Sequence, residues 1–261
     1  MRGPIAYSFL REQPHYRSDA FHAGLRACGF TVKQRQYPAP VGPGDIVLVW
    51  NRYGQGEIYA KAGERAGATV LIAENGYLGA DAAGVQLYAL AVGQHNGAGR
   101  WLPGDRDRML RQMGAFQPWR DDGRHILVLP SRGVGPAGVG QPSVWTDGVV
   151  ADLRRRTDRP VRVRLHPGTT TPPTTLEQDL EGAWAVVTWG SGAAIKALAL
   201  GVPVFFEMPQ WIGAAAALPL SADLEAPFLG DRVPMFERLS GAQASLDEIS
   251  SGTAFRRLLS L

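Results

Sequence analysis

The chain has 261 residues, 45% hydrophobic and 20% charged, a formal net charge of +3 and one cysteine, a mixture that suits a soluble globular core of one large or two small domains. An internal disulfide is excluded, and no apolar run approaches the roughly 20 residues that span a bilayer. The opening Met1-Arg2-Gly3-Pro4 lacks the long apolar segment of a secretory leader, so a cytoplasmic setting without a membrane partner is expected.

In chain order, the pattern predicts a strand over 5–9, then a helix over 18–28 with Ser18 as N-cap and Gly29 as its stop. Cys28 falls in that helix beside apolar residues and reads as core rather than nucleophile. A second strand is expected over 31–35. Residues 45–50 form the unbroken apolar run of a buried strand, followed by Asn51 and Arg52. A helix over 58–66 ends at Gly67. Another buried strand over 68–73 places Glu74, Asn75 and Gly76 just past its end. Residues 85–92 read as strand, 93–99 with His95 and Asn96 as loop, and 106–113 as a short helix.

Residues 118–123 are polar and turn-rich, so a linker is placed there. It divides a first domain, 1–120, from a second, 124–230. Asp121-Asp122 in the linker reads as a solvated turn rather than a metal site. A fresh rhythm follows: a strand over 125–129, a glycine-rich loop over 131–140 carrying Arg132 and Gly133, and a helix over 144–156. A strand over 161–165 ends in His166-Pro167-Gly168. After a loop over 171–175 come a short helix over 176–180 and a strand over 183–188 that ends in Thr188. The turn Trp189-Gly190-Ser191-Gly192 opens a helix stopped by Gly201, and 203–206 begins a further strand. Residues 231–261 carry helices over 233–239 and 246–259, the second weakened at Gly252, and are expected to pack back on the first domain. Strands alternating with helices imply parallel sheets. The expected fold class is therefore α/β, two Rossmann-like doubly wound domains facing a cleft, with ligands outside the carboxyl ends of the strands.

A Gly-Ser-Gly turn at a helix N-terminus leaves backbone N–H groups where a phosphate can sit. His166 leaves what reads as a neighbouring strand end, and the two together suggest a diphosphate site. Beside such an anion His166 would be protonated or donate a hydrogen bond. Ser191 would give hydroxyl and N–H to phosphate, or only cap its helix. Arg132 could pair with phosphate, Gly133 would let backbone approach closely, and Thr188 is a weaker candidate in the same region. Glu74 reads either as a base for an acceptor hydroxyl or as a capping or salt-bridged carboxylate. Asn51, Arg52, Asn75, Gly76, His95 and Asn96 would orient the acceptor. No phosphate-loop lysine motif, paired-cysteine or His-Glu-x-x-His metal site, or Gly-x-Ser-x-Gly nucleophile turn is present. Residues 1–123 hold 14 Lys+Arg against 11 Asp+Glu, and residues 124–261 hold 13 of each. That basic excess permits nucleic-acid binding without establishing it.

These residues resemble the GT-B class of nucleotide-sugar glycosyltransferases, and more closely the bacterial capsule-type transferases, including Kdo-transferases and several sialyltransferase families. Those carry an acidic-x-Gly motif in the first domain, matched in form by Glu74-Asn75-Gly76, and a His-Pro motif in the second, matched by His166-Pro167. They also carry a small hydroxyl motif opening a helix, matched by Gly190-Ser191-Gly192. The order agrees, and the block over 183–206 with its Gly-Val-Pro-Val ending is similar too. The texture is also similar to that of proteins encoded by tailed bacteriophages, some of them labelled glycosyltransferases. Family members often have two acidic residues before the glycine; here Asn75 holds the second place, leaving Glu74 as the one carboxylate.

The resemblance implies transfer of a sugar from a nucleotide-sugar co-substrate to a hydroxyl, without a cofactor or metal. The first domain would bind the acceptor and the second the nucleotide sugar. Ser191, Gly192 and His166 would stabilise the leaving phosphate, with Glu74 as base. A phage setting implies DNA carrying hydroxymethylated bases as acceptor, in the host cytoplasm; a bacterial one implies a surface or capsule glycan. A non-catalytic nucleotide-sugar-binding protein and an epimerase of the same fold are the rival expectations.

Overall fold

The computed structural model describes residues 3–34 and 40–261. The chain divides into two compact units, Met1–Gln112 with Glu237–Leu261, and Met113–Phe236. The first opens with β1 (Ile5–Ser8), α1 (Ser18–Ala27), β2 (Thr31–Gln34), β3 (Ile46–Trp50) and α2 (Gln55–Arg65), then β4 (Thr69–Ala80), β5 (Gln86–Val92) and α3 (Arg106–Met113). The second carries β6 (His125–Leu129), α4 (Trp145–Arg156), β7 (Val161–Val163), α5 (Leu176–Leu180), β8 (Ala183–Thr188), α6 (Gly192–Ala199), β9 (Val204–Phe206) and β10 (Leu218–Pro219). The chain returns through α7 (Val233–Gly241) and ends in β11 (Gln243–Ser245), α8 (Leu246–Ser250) and α9 (Thr253–Leu259). Among the described residues, no helix is long and apolar enough to cross a membrane.

The sheet of the first unit has the order β11-β5-β4-β3-β1-β2. Its β1, β2, β3 and β4 run parallel, while β4–β5 and β5–β11 are antiparallel. Parallel strands buried on both faces need apolar residues throughout, and Ile46, Val47, Leu48 and Val49 are all buried. Asp45, expected in that strand, instead precedes it and accepts the Ile5 N–H at 2.9 Å. Helix α1 buries Phe21 and Leu25. A Cβ at its Gly24 would come within 1.8 Å of the Ile249 carbonyl, which shows how closely α1 meets α8. Three local expectations change. Arg17, at φ 47°, precedes the first turn of α1, so Ser18 is not the N-cap. Helix α2 starts at Gln55, ahead of the expected position. The helix expected over 246–259 breaks into α8 and α9 at Gly252, whose φ is 79°. Arg35, expected to close β2, lies outside the described residues.

The largest change is in β4. It does not stop at Ala73 but continues through Glu74, Asn75 and Gly76, because β5 folds back beside it. Glu74 lies opposite Ala89 and Asn75 opposite Tyr88, before a register break that resumes at Ala80 opposite Gln86. Gly76 allows the two strands to close: a Cβ there would come within 2.7 Å of the Leu87 carbonyl oxygen.

The second sheet is parallel throughout, in the order β10-β9-β8-β6-β7. Its core is built from Ile126, Val128, Val149, Leu153, Ala185, Val187 and Phe205. Strands β7 and β8 are not neighbours as expected; both flank β6. The chain leaves β6 to one side for β7 and crosses to the other for β8. The strand order therefore switches at β6, the place where open α/β sheets bind ligands. The turn-rich stretch over 118–123 runs along this unit: Arg120 N–H donates to Gly201 O at 2.8 Å and Arg124 N–H to Gly182 O at 2.7 Å. Arg232 is buried against the rings of Phe116 and Trp119, at 4.7 and 4.1 Å, and donates to the Leu198 carbonyl.

Candidate active site

Three loops leave the carboxyl edge of the second sheet at its switch point. The first, after β6, carries Arg132 and Gly133 and turns on left-handed glycines, Gly133 at φ 69° and Gly138 at φ 82°. It is tethered: Gln141 accepts the Ser131 N–H at 2.7 Å, and the Trp189 indole N–H donates to Val139 O at 2.8 Å. The second, after β7, carries His166. Its Nδ1 accepts the Gly168 N–H at 2.9 Å, so the ring proton resides on Nε2. Burial, then the positive charge of Arg132, lowers the His166 pKa. Both effects favour the neutral imidazole that donates through Nε2, one of the two states expected from sequence. Arg132 and His166 meet over Gly168: a Cβ there would lie 3.0 Å from Arg132 Cδ and 3.1 Å from His166 Nδ1. The Arg132 guanidinium is exposed and has no acceptor among the described residues.

The third loop is the Gly190-Ser191-Gly192 turn, and here the geometry reassigns two residues. Thr188 is fully buried; its hydroxyl donates to Leu129 O at 2.8 Å and accepts the Ser191 N–H at 2.9 Å. It is a clasp between the ends of β6 and β8, not a ligand contact. The N–H of Ser191 is thereby taken, and its Oγ caps α6 by accepting the Ala193 N–H at 3.2 Å. The remaining donors are the Ser191 hydroxyl proton and the N–H groups of Gly190 and Gly192, which point to no acceptor among the described residues. Gly190 is held by packing, since a Cβ would come within 2.8 Å of Met208 Sδ. Trp211 lies beside it; its buried indole N–H has no partner among the described residues.

In the first unit, Glu74 lies within electrostatic reach of Tyr77, and the loop over 93–99 brings Asn96 to Tyr77 and His95 to Arg52. Glu74 shares the face of Ala89, its partner in register, and of Ala91. The loop over 93–99 folds onto that face: a Cβ at Gly99 would lie 2.7 Å from Ala91 Cβ. Asn96, at φ 57°, donates its N–H to Tyr77 Oη at 2.9 Å. Glu74 has no ion-pair or hydrogen-bond partner among the described residues, and burial pushes its pKa up to about 7. His95 is 5% exposed, its Nδ1 has no partner among the described residues, and burial drives its pKa down to about 4, aided by Arg52. Arg52 itself is 2% exposed and committed: Nε to Glu57 at 2.5 Å, Nη1 to Glu64 and to Gly93 O at 2.6 Å each. It braces the loop and offers nothing to an acceptor. Asn75 faces the other way, opposite Tyr88 and toward α1. Asn51, at φ 51°, ends β3 by donating its N–H to Ala73 O at 3.0 Å, and Gly76 serves the hairpin.

Sequence reasoning missed Tyr77, Gly168 and Trp211. Tyr77 follows the acidic-x-Gly triplet directly, but nothing in its spacing separates it from an ordinary strand tyrosine. It also missed the rings lining the switch point of the first sheet, between β1 and β3. There Tyr16 meets Trp50 edge-on at 4.8 Å and Phe9 stacks on Tyr59 at 3.9 Å.

No family model matches the chain, and no curated protein matches its sequence. Solved structures do match. One from Thermosulfurimonas dismutans, KpsC, beta Kdo 2,4 transferase, aligns with a TM-score of 0.57 at 12% identity, over 92% of each chain. Another, KpsC, beta Kdo 2,7 transferase from the same organism, aligns at 0.58 and 13% identity, over 97% of this chain and 99% of that one. The protein therefore has an α/β fold with two Rossmann-like units, shared with known Kdo transferases.

Proposed function

We propose that this protein is a GT-B-type glycosyltransferase that moves a sugar from a nucleotide donor to a hydroxyl of a surface or capsule glycan. The observation that carries this reading is that Arg132 and His166 meet over Gly168, while the loops that carry them and the Gly190–Gly192 turn leave the same carboxyl edge of a parallel sheet at its switch point, in a fold shared with known Kdo transferases. A guanidinium, an Nε2–H and backbone N–H groups at the start of an eight-residue helix form a donor set for phosphate oxygens. As the glycosidic bond breaks, negative charge grows on the leaving phosphate, and preorganised donors stabilise that charge most. These groups meet the charge without a metal. Glu74 is the base: a carboxyl with a pKa of about 7 is substantially ionised at neutral pH yet basic enough to take a hydroxyl proton.

The mild basic excess over 1–123 and the phage-like texture speak for a DNA base as acceptor, whereas the fold shared with Kdo transferases supports a glycan, so the glycan reading is carried forward. The test is to incubate the protein with a panel of nucleotide sugars, a nucleotide-linked Kdo among them, with and without oligosaccharide acceptors or hydroxymethylated DNA. Nucleotide release that requires an oligosaccharide is the expected result. Release with DNA alone would replace the acceptor. Epimerised donor without an acceptor would replace the reaction. Binding without turnover would leave a non-catalytic binder.

A further inference from the structure

The first sheet has its own switch point: β1 leads to β2 on one side, and the chain then crosses to β3 on the other. Ligands gather at the carboxyl edge of such a place. Aromatic side chains rise there from the core to the surface. Tyr88 is buried and meets Trp50 edge-on at 6.3 Å, Trp50 meets Tyr16 at 4.8 Å, and Tyr16 meets His15 at 4.0 Å. Trp50 and Tyr16 are half-buried, His15 is exposed, and the exposed Arg11 guanidinium stands 5.9 Å from the Tyr16 ring centre. The Trp50 indole N–H and the Tyr16 hydroxyl have no partner among the described residues. Each of these two rings is followed at once by a non-glycine residue in the left-handed region, Arg17 at φ 47° and Asn51 at φ 51°. Such backbone persists only where its surroundings hold it, and it clusters at ligand sites. The proposed transfer chemistry uses none of these rings.

The chemistry of this cluster selects its ligand. An aromatic face is negative, so the weakly positive C–H face of a sugar ring packs on it, while the sugar's hydroxyls accept from an indole N–H and exchange hydrogen bonds with a phenol. The planes of Tyr16 and Trp50 stand at 87°, so the two rings form a corner that suits a puckered ring, whereas a flat base stacks along one plane. Charge separates the two ligands as well. Single-stranded nucleic acid needs a positive groove beside its stacking rings, but residues 11–19 hold Arg11 and Arg17 against Glu12 and Asp19, which cancel. We propose that Tyr16 and Trp50 form a stacking subsite for a sugar ring at the carboxyl edge of the first sheet. It grips a ring by its apolar face and takes no part in the proton transfer assigned to Glu74. The subsite rests on the glycosyltransferase reading only for the fate of the sugar it holds.

The experiment replaces the tryptophans of the full chain with fluorotryptophan and follows fluorine NMR, with Trp50→Phe assigning the Trp50 signal. The probes are methyl glycosides of the common hexoses, their disaccharides and a short single-stranded oligonucleotide. The expected result is that a neutral glycoside moves the Trp50 signal to saturation, with an affinity that changes less than about two-fold between about 50 and 300 mM salt. Tyr16→Leu keeps bulk but removes the ring, and should weaken that glycoside by about ten-fold or more at an unchanged melting temperature. Tyr16→Phe keeps the ring and should stay within about three-fold of the wild type. The subsite is overturned if no glycoside moves the Trp50 signal, or if Tyr16→Leu binds like the wild type. It is also overturned if only the oligonucleotide moves the signal, with an affinity that falls steeply in salt, which would put nucleic acid in the sugar's place. Should Tyr16→Leu fail to fold, the salt dependence and the oligonucleotide comparison in the wild type decide. Absence of nucleotide release with every donor, while glycosides still move the Trp50 signal, would sink the transferase reading and leave the subsite standing. Oligosaccharide-dependent release with a Trp50 signal that no sugar moves would do the reverse.

Discussion

Unlike Glu57 and Glu64, which share Arg52, Glu74 has no ion-pair partner among the described residues, and burial disfavours its charged form. Its folded pKa of about 7 stands above the ordinary 4.5, so the folded state holds this proton more tightly. The resulting stability is full below about pH 4.5 and is lost as pH rises through about 7. Glu74→Gln should therefore stabilise the protein by about 1–3 kcal/mol at pH 8 and not at pH 4, while cutting transfer by about 10²–10⁴-fold. Melting curves at the two pH values, beside a rate assay, check both halves. The wild-type rate should rise with pH and level off above about 7, since the base works ionised. His95 has the opposite sign: its pKa is pushed from 6.5 to about 4, so its contribution is present above pH 6.5 and lost on acidification. A His95→Gln variant should lose less stability than the wild type between about pH 6.5 and 4, as read by urea titration. On the donor side, Arg132→Ala should weaken nucleotide-sugar binding by about 1.5–3 kcal/mol, the worth of a charged hydrogen bond, with no change in melting temperature. The candidate residues were legible by type and position, but their roles were not. That Arg52 is consumed and Glu74 unpaired depends on partners from α2 and the loop over 93–99, which no local pattern announces.

At the scale of elements, the turn after β8 works because Thr188 ties it to β6. Thr188→Val would keep the shape and strand the Leu129 carbonyl and the Ser191 N–H, at a cost of about 1–3 kcal/mol. Urea unfolding should show that loss, and donor affinity should fall with it because Gly190 and Gly192 lose their support. The strands of the second sheet were readable because parallel strands buried on both faces show unbroken apolar runs, as over 125–129 and 183–188. The continuation of β4 through Glu74-Asn75-Gly76 was not, since its polar residues are ordered by pairing with β5 rather than by their own propensity. Strand β11, only Gln243–Ser245, carries too little pattern to be seen before β5 pairs with it.

At the scale of the whole molecule, the first unit is completed by residues far along the chain. Arg108 on α3 pairs with Glu248 and donates to the carbonyls of Gln243, at 2.6 Å, and Ser240, at 2.8 Å. β11 also covers the edge of β5. A fragment of residues 113–236 should therefore fold by itself, with cooperative thermal unfolding, whereas residues 1–112 without 237–261 should stay unfolded or aggregate; circular dichroism of the two fragments checks this. The amino-acid sequence by itself determined which segments are strands and helices, the α/β class, and the residue types that suit sugar transfer. Those properties follow from local apolar periodicity, turn chemistry and motif spacing. Only the tertiary structure decided that β7 and β8 stand on either side of β6, that Thr188 is a clasp, that His166 Nδ1 accepts the Gly168 N–H, and that Tyr77 comes near Glu74. Strand order, burial and hydrogen-bond partnership are relations between segments distant in the chain, so they exist only once the chain has folded.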